Sequence, residues 1–65
     1  MPEITWSKKL EIRRVALDLT QEQAAETIGV PLGTYGRWER GEHKPMKIYQ
    51  KLIAEVFQMN ADELF

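Results

Sequence analysis

The stretch from Thr20 to Gly41, TQEQAAETIGVPLGTYGRWERG, most constrains how this chain can fold, because it predicts two short helices joined by a tight turn. Thr20 can cap the first helix through its hydroxyl, and good helix formers follow it. Gly29 can adopt the left-handed conformation that ends a helix. Pro31 suits the start of the second helix, where a missing N–H does no harm. Gly41 then ends that second helix.

The apolar residues of this stretch recur at helical spacing. The first helix carries a narrow apolar stripe made of Ala24, Ala25 and Ile28. Tyr35 and Trp38, three positions apart, give the second helix a side to bury. This spacing alone also fits an ordinary helical hairpin in a small bundle.

Other residues of the stretch lie where one known family constrains them, and the stretch resembles the helix-turn-helix of the Cro/CI-type (lambda-repressor-like, XRE) DNA-binding proteins. Gln21 matches the family's opening glutamine, Ala25 its small residue between the helices, and Gly29 its turn glycine. The closing W-E-R-G is matched at positions 38–41. An ordinary hairpin does not explain this combination. The resemblance covers roughly residues 10–65.

The resemblance implies an all-α fold, a compact bundle of four to five short helices around a central helix-turn-helix. With 65 residues, we expect a single domain over 1–65 whose first residues, 1–4, form a loose arm. The implied function is sequence-specific binding of double-stranded DNA with helix 32–40 in the major groove, as in a phage-type or mobile-element transcriptional repressor. The rival is a protein-interaction module on the same fold, such as an antitoxin or coregulator.

Composition argues against several other classes of protein. The chain has no cysteine, no apolar run of membrane-spanning length and no signal-peptide pattern, which suits the cytoplasm. His43 is the only histidine and Ser7 the only serine, and they lie far apart in sequence. The glycine spacing fits no phosphate-binding motif. We therefore expect no enzyme activity, no metal and no cofactor.

The net charge of −1 is unusual for a DNA-binding domain, but the basic residues are concentrated. Residues 34–51 carry five basic side chains against Glu39 and Glu42. A phosphate backbone would lie along that segment. The alternative is a solvated charged face with no ligand.

By the family pattern, the start of the second helix faces the bases, and the DNA base contacts are Leu32, Gly33, Thr34, Gly36 and Arg37. Arg37 is the candidate for bidentate contact with guanine, and a phosphate contact is its alternative. Two glycines in a reading helix are unusual. They are consistent with close approach of the backbone to DNA, with helix packing, or with relaxed specificity.

The expected phosphate contacts are Gln21, Arg40, His43, Lys44 and Lys47. Such regulators commonly bind palindromic operators as homodimers. We expect self-contact through the C-terminal region, at Met59, Leu64 and Phe65, with core packing as the alternative. For Phe57 we expect core packing.

The first helix should run from a cap at Thr5 to about Leu17, and Arg14 falls within its apolar stripe. A buried guanidinium without a partner would be costly. The family resemblance implies a structural ion pair between Arg14 and Glu39, and the alternative is that Arg14 reaches solvent along its aliphatic stem. Asp18 stands where the family usually has glycine, which aspartate replaces tolerably.

A further helix is predicted over Met46 to Gln58, with Ile48, Leu52 and three later apolar residues at helical spacing. After a short turn, Asn60 is expected to cap a last helical turn, with Glu63 in the capping-box position.

Overall fold

The computed structural model describes residues 5–65, so the predicted arm 1–4 lies outside the described residues. Five helices follow one another without a strand in this part of the chain: α1 (Trp6–Ala16), α2 (Gln21–Ile28), α3 (Leu32–Glu39), α4 (Lys47–Val56) and α5 (Ala61–Leu64). The predicted all-α class is confirmed. None of these helices has both the length and the apolar character needed to cross a membrane.

Local signals set both ends of α1. The Thr5 hydroxyl accepts a hydrogen bond from the backbone N–H of Lys8 at 3.3 Å, which caps the first turn. At the other end Asp18 has a φ of 60°, in the left-handed region where the sequence places aspartate instead of glycine. The backbone N–H of Leu19 then bonds back to the carbonyl of Arg14 at 3.2 Å, and the chain turns toward α2.

The helix α2 and the turn that leads from it into α3 form as the sequence predicts. Thr20 and Gln23 form a reciprocal capping box, in which each side chain accepts a hydrogen bond from the other's backbone N–H. Gly29 ends α2 with a φ of 95°, a conformation that other residues rarely adopt. Ala25 is buried where α2 packs on α3, the pair of helices in most extensive contact. A small side chain here lets the two helices approach closely.

The core lies between all five helices. Its five largest fully buried side chains come from α1, α3, the α4 region and α5: Leu10, Tyr35, Ile53, Phe57 and Leu64. Trp38 extends this core, with its ring 6.1 Å from that of Tyr35 and 5.7 Å from that of Tyr49. Burying such side chains supplies about 1.5–3 kcal/mol each relative to exposure. The same burial fixes how α3 is rotated about its axis.

The predicted extent of α4 is wrong in part. The helix ends at Val56, and Gln58 has a φ of 57°, because the N–H of Met59 bonds to the carbonyl of Ala54 at 2.9 Å and closes the last turn. Ile48 and Leu52, predicted as part of the apolar repeat, are 65% and 38% exposed. Helical spacing shows that these positions share a helix but not that both face the core.

Two predictions about the C-terminus also need correction. Leu64 is fully buried in the core, so it cannot form a contact between subunits. Phe65 is half-buried, with its ring 5.9 Å from that of Trp6. Asn60 does not cap α5 with its side chain; its amide instead donates to the Glu63 carboxylate at 3.2 Å. Phe57 is in the core, as expected.

Candidate nucleic-acid interface

The outward face of α3 is fixed by what the helix buries. Tyr35 and Trp38 face the core, so Gly33 and Arg37, one turn apart on the opposite side, are exposed to solvent. Leu32 is also exposed at the start of the helix, and Thr34 is half-buried at the edge of this face. Four of the five residues expected to contact bases therefore share one accessible surface.

Gly36 is the exception among the expected base contacts. It is buried, and a Cβ added to it would lie 3.1 Å from the guanidinium Nη1 of Arg40. The atom that covers it belongs to the flexible, exposed end of a side chain, so the base contact of Gly36 stays a prediction that requires Arg40 to move aside. Gly33 differs, because an added Cβ there would meet no atom within 4 Å. The two glycines of α3 thus lie in different surroundings.

A groove of about 260 Å³ runs between α3 and the segment that leads into α4. Its lining residues are Thr34, Arg37, Trp38, His43, Lys44, Pro45, Met46 and Tyr49. The groove therefore brings two expected base contacts together with two expected phosphate contacts, and no carboxylate lines it. Met46, exposed at its rim, was not among the predicted site residues. No sequence signal indicated this role, because Met46 lies at the predicted start of a helix like any other apolar residue.

The remaining phosphate candidates are placed differently. Lys47 is exposed at the first position of α4, beside the groove. Arg40 is also exposed, but its Nε donates to the Glu42 carboxylate, so a phosphate would have to compete with that ion pair. The Gln21 amide donates inward to Glu39 at 3.0 Å. One N–H of the Gln21 amide therefore forms a structural hydrogen bond within the domain.

Arg14 and Glu39 lie in direct contact beneath the α3 face. Arg14 Nε is 2.6 Å from Glu39 Oε2, and Arg14 Nη2 is 3.3 Å from Glu39 Oε1. The remaining nitrogen, Nη1, donates to the backbone carbonyl of Leu19 at 2.7 Å. Only 13% of the Arg14 side chain and 3% of the Glu39 side chain are exposed. A bidentate pair with an extra backbone acceptor satisfies both buried charges.

The charges of this pair shift both pKa values in the direction that keeps the pair ionised. Burial by itself raises the pKa of Glu39, but hydrogen bonds to Arg14 and Gln21 bring it below its ordinary value. The hydrogen bond to Glu39 raises the pKa of Arg14 against the opposing effect of burial. The carboxylate is therefore a permanent negative charge at neutral pH that holds α1, α2 and α3 together.

The Tyr35 hydroxyl lies beside this network. The atom is buried and has no hydrogen-bond partner in the described structure. Burial raises the pKa of Tyr35, and the neighbouring Glu39 charge adds to the effect. The hydroxyl is thus neutral, close to a carboxylate, and not aligned with it as a donor.

These features suit binding of an anionic surface. The exposed face of α3 continues into a groove with Arg37 and Lys44 on its walls, while a buried ion pair holds the helix in place from behind. Within residues 5–65, no group of three or more metal-ligating side chains comes together.

The helix-turn-helix family model matches residues 10–64, which is most of the chain. The chain belongs to this family. The match spans α2, the turn and α3, as well as the Arg14–Glu39 pair and the groove beside α3. The family resemblance identified from residues 20–41 is confirmed, and so is the fold that this family implies.

Two curated relatives and one solved structure are similar to this helix-turn-helix chain. It is 36% identical to the HTH-type transcriptional activator BcrR of Enterococcus faecalis over 59 residues, 91% of this chain and 29% of that protein. It is 35% identical to the cryptic phage CTXphi transcriptional repressor RstR of Vibrio cholerae over 57 residues, 88% of this chain and 51% of that protein. The chain thus spans about half the length of these relatives or less.

The solved structure is that of the restriction-modification controller protein C.AhdI from Aeromonas hydrophila. It superposes with a TM-score of 0.87 at 26% identity, over 95% of this chain and 94% of that chain. Agreement over nearly the whole of both chains includes the C-terminal helices as well as the helix-turn-helix.

Proposed function

We propose that this helix-turn-helix chain binds double-stranded DNA in a sequence-specific manner and regulates transcription, with α3 in the major groove. The observation that carries the proposal is the single accessible surface formed by Gly33, Arg37 and the cationic groove beside them. An α-helix fits the major groove, where each base pair presents a distinct pattern of donors and acceptors. The relatives BcrR and RstR, named as transcriptional regulators, support the same function.

Within this proposal, side chains on the exposed face of α3 read the bases. Arg37 donates to guanine O6 and N7, while Leu32 and the Thr34 methyl group contact thymine methyl groups. Gly33 lets the backbone approach the DNA, since nothing in the protein occupies the space beside it. Gly36 joins this set only when the end of the Arg40 side chain that covers it moves aside.

Phosphates on the flank of the site would be held by Lys44, Lys47 and His43, all exposed on the segment that follows α3. Arg40 contributes after release from Glu42, and Gln21 contributes through the start of α2, whose backbone N–H groups suit an anion. These contacts set the position of the protein and carry most of the salt dependence.

We assign the chain to repressors of the phage or mobile-element type that bind a palindromic operator as a homodimer. The similarity to RstR, a cryptic phage repressor, extends over 88% of this chain and supports the assignment. BcrR, by contrast, is an activator, so repression is supported less strongly than DNA binding. Two half-sites related by a dyad would receive two copies of α3 about one DNA turn apart.

A second function is favoured by two specific observations. The net charge is −1, and one position of the exposed α3 face is a glycine with no side chain to read a base. Both would suit a domain that binds another protein through this surface, as an antitoxin or coregulator does. Such a protein would show weak DNA binding without sequence preference.

Selection of bound sequences from random double-stranded DNA, followed by binding titrations over a range of salt concentrations, separates these functions. A DNA-binding regulator enriches one motif and loses affinity linearly in log–log plots against salt. Lys44→Ala and Lys47→Ala should each weaken binding to cognate and to random DNA alike. Each should also reduce the slope of log affinity against log salt concentration by about one. If the selection enriches no motif, the DNA-binding proposal is excluded and the protein-binding one is left.

A further inference from the structure

The end of the Arg40 side chain lies on the helix that is proposed to enter the major groove. Arg40 follows α3 directly, one turn after Gly36. It shares the outward side of the helix with Gly33 and Arg37. A Cβ added to Gly36 would lie 3.1 Å from Arg40 Nη1, so the glycine leaves room for the guanidinium. Because 58% of the Arg40 side chain is exposed, this cation belongs to the surface that DNA would meet.

The turn after α3 brings Glu42 back beside Arg40. Gly41 has a φ of 75°, the left-handed conformation that ends many helices. The backbone N–H of Glu42 then bonds to the carbonyl of Arg37 at 3.0 Å, which holds Glu42 against the end of α3. From this position the Glu42 carboxylate accepts a hydrogen bond from Arg40 Nε. The ion pair is therefore built into the cap of α3.

Glu42 is the exposed acid of the basic segment that borders the α3 surface. Residues 34–51 contain two carboxylates, of which Glu39 is 3% exposed and Glu42 is 50% exposed. The hydrogen bond from Arg40 lowers the pKa of Glu42, and the charge of Arg37 acts in the same direction. The carboxylate is therefore ionised at neutral pH. It places a negative charge where a phosphate would approach.

We propose that Glu42 is a specificity-determining residue of the α3 surface, because its carboxylate occupies the place on Arg40 that a DNA phosphate would take. The role rests on the proposed function, since it concerns how the same surface distinguishes one DNA sequence from another. Glu42 acts through Arg40 and touches no base, so it is a positioning residue. In the free protein it neutralises Arg40, and on a cognate site a phosphate replaces it.

This competition discriminates between DNA sequences because the exchange of one anion for the other requires close contact. An exposed ion pair is weak, so a phosphate that lies directly against Arg40 displaces Glu42. On a cognate site, base contacts of α3 hold the phosphate backbone at that distance. On random DNA the helix is not seated, so the ion pair persists and the carboxylate repels the phosphates. A repulsive element of this kind raises specificity by weakening binding to the wrong partners.

The alternative explanation for any effect of Glu42→Gln is the plain loss of a negative charge. Glu55 provides the matched control, because it is exposed in the last turn of α4 and forms no ion pair within residues 5–65. Glu55→Gln changes the net charge by the same amount as Glu42→Gln. Arg40→Ala provides the second control, because it removes the cation for which the two anions compete.

An NMR titration tests the pairing itself without DNA. The pKa of the Glu42 carboxyl should lie below its ordinary value of 4.5 in the parent chain, and Arg40→Ala should raise it. Circular dichroism confirms that the variants fold. The same pKa in both proteins would overturn the proposal, because Glu42 would then not hold Arg40 in solution.

Titrations against the selected site and against random double-stranded DNA measure the effect on specificity. Glu42→Gln should strengthen binding to random DNA by at least about fivefold and binding to the selected site by less than about twofold. On random DNA the slope of log affinity against log salt concentration should become steeper by about one, because the freed Arg40 displaces one more counterion. Glu55→Gln should change both affinities by the same factor, below about twofold.

The double variant Arg40→Ala with Glu42→Gln shows whether Glu42 acts through Arg40. Compared with Arg40→Ala alone, the added Glu42→Gln change should raise the affinity for random DNA no more than Glu55→Gln does in the parent chain. An equal gain with and without Arg40, or an equal gain on both kinds of DNA, would overturn the proposal.

The parent chain distinguishes failure of this role from failure of the proposed function. If the parent prefers the selected site and Glu42→Gln shows the same preference, the role of Glu42 is wrong and the DNA-reading function stands. If the parent shows no preference, the DNA-reading function is wrong, and the role of Glu42 in specificity is wrong with it.

Discussion

Gln21 Nε2 lies 3.0 Å from Glu39 Oε1, so the first residue of α2 and the last residue of α3 are joined by the same carboxylate that holds Arg14. Glu39 accepts hydrogen bonds from side chains on two other helices at once. Because α3 carries the exposed surface on its opposite side, this carboxylate determines how that surface is oriented relative to the rest of the domain. The orientation is therefore an electrostatic property as well as a packing one.

Replacing only one residue of the Arg14–Glu39 pair should destabilise the fold strongly. Arg14→Met leaves Glu39 buried without its main partner and also removes the donor to the Leu19 carbonyl. We expect a loss of about 3–5 kcal/mol in the free energy of unfolding, measured by urea denaturation. Glu39→Gln should cost less, because it leaves the Arg14 bond to Leu19 intact.

The double variant Arg14→Met with Glu39→Gln provides the control for that pair. Its loss should be clearly smaller than the sum of the two single losses, since neither charge is then left alone. Additive losses would show that the two side chains act independently in solution.

The stability of the domain should fall in acid through Glu39. Its pKa in the folded state lies below the ordinary value of 4.5, so its contribution is fully present above that value and is lost as the pH falls through the lowered pKa. The free energy of unfolding of the parent chain should therefore decline between roughly pH 5 and 3. Glu39→Gln should remove much of this decline, whereas Glu42→Gln, at an exposed ion pair, should not. Equal slopes for the parent and Glu39→Gln would disprove the assignment.

Tyr35→Phe should be tolerated and should raise stability slightly. The change removes a buried hydroxyl that has no hydrogen-bond partner, while the ring stays in the core. We expect a gain of up to about 1 kcal/mol in thermal or urea denaturation. A loss of similar size would show instead that the hydroxyl donates to Glu39, directly or through a water molecule, in solution.

Much of this architecture could be predicted from residues that act locally. Thr20 and Gly29 set the ends of α2 through hydrogen bonding and backbone conformation, which depend on the residue type and its immediate neighbours. Arg14 within an apolar stripe required a buried partner, and the family resemblance identified Glu39 as that partner. Local signals and family pattern together placed α2 and α3 correctly.

What the sequence did not predict depends largely on which side of a helix the rest of the chain covers. Ile48, Leu52 and Ile53 all fit the periodicity of α4, but only Ile53 is fully buried. Leu64 near the C-terminus was predicted to form an external contact, yet it completes the core. Arg40 and Gln21 have side-chain partners, Glu42 and Glu39, that spacing alone did not indicate. All of these cases depend on tertiary contacts except the Arg40–Glu42 pair, which joins residues two positions apart in the turn after α3.

The two glycines of α3 should respond differently to alanine. Gly33→Ala adds a Cβ into open space and should stabilise the free protein by up to about 1 kcal/mol through helix propensity. The same methyl group lies on the proposed DNA surface, so affinity for cognate DNA should fall. Gly36→Ala is the matched control: its Cβ lies against the mobile end of Arg40, and cognate affinity should be retained. Unchanged affinity in Gly33→Ala would exclude close approach of the backbone there.

Substitution of Arg37 separates sequence-specific base recognition from non-specific contact with the DNA backbone. Tyr35 and Trp38 are buried, so Arg37 points outward one turn after Gly33, where no other side chain of the helix intervenes. Arg37→Ala should therefore remove about 1–3 kcal/mol of discrimination at one base pair of each half-site, with a smaller effect on random DNA. Arg37→Lys restores the charge without the planar two-point donor, so preference should stay low. Titrations against all four bases at every position of the selected site measure this, with Lys44→Ala as the variant that weakens every sequence alike. If Arg37→Ala also weakens every sequence by the same factor, Arg37 contacts phosphate, and base reading is left to Leu32 and Thr34.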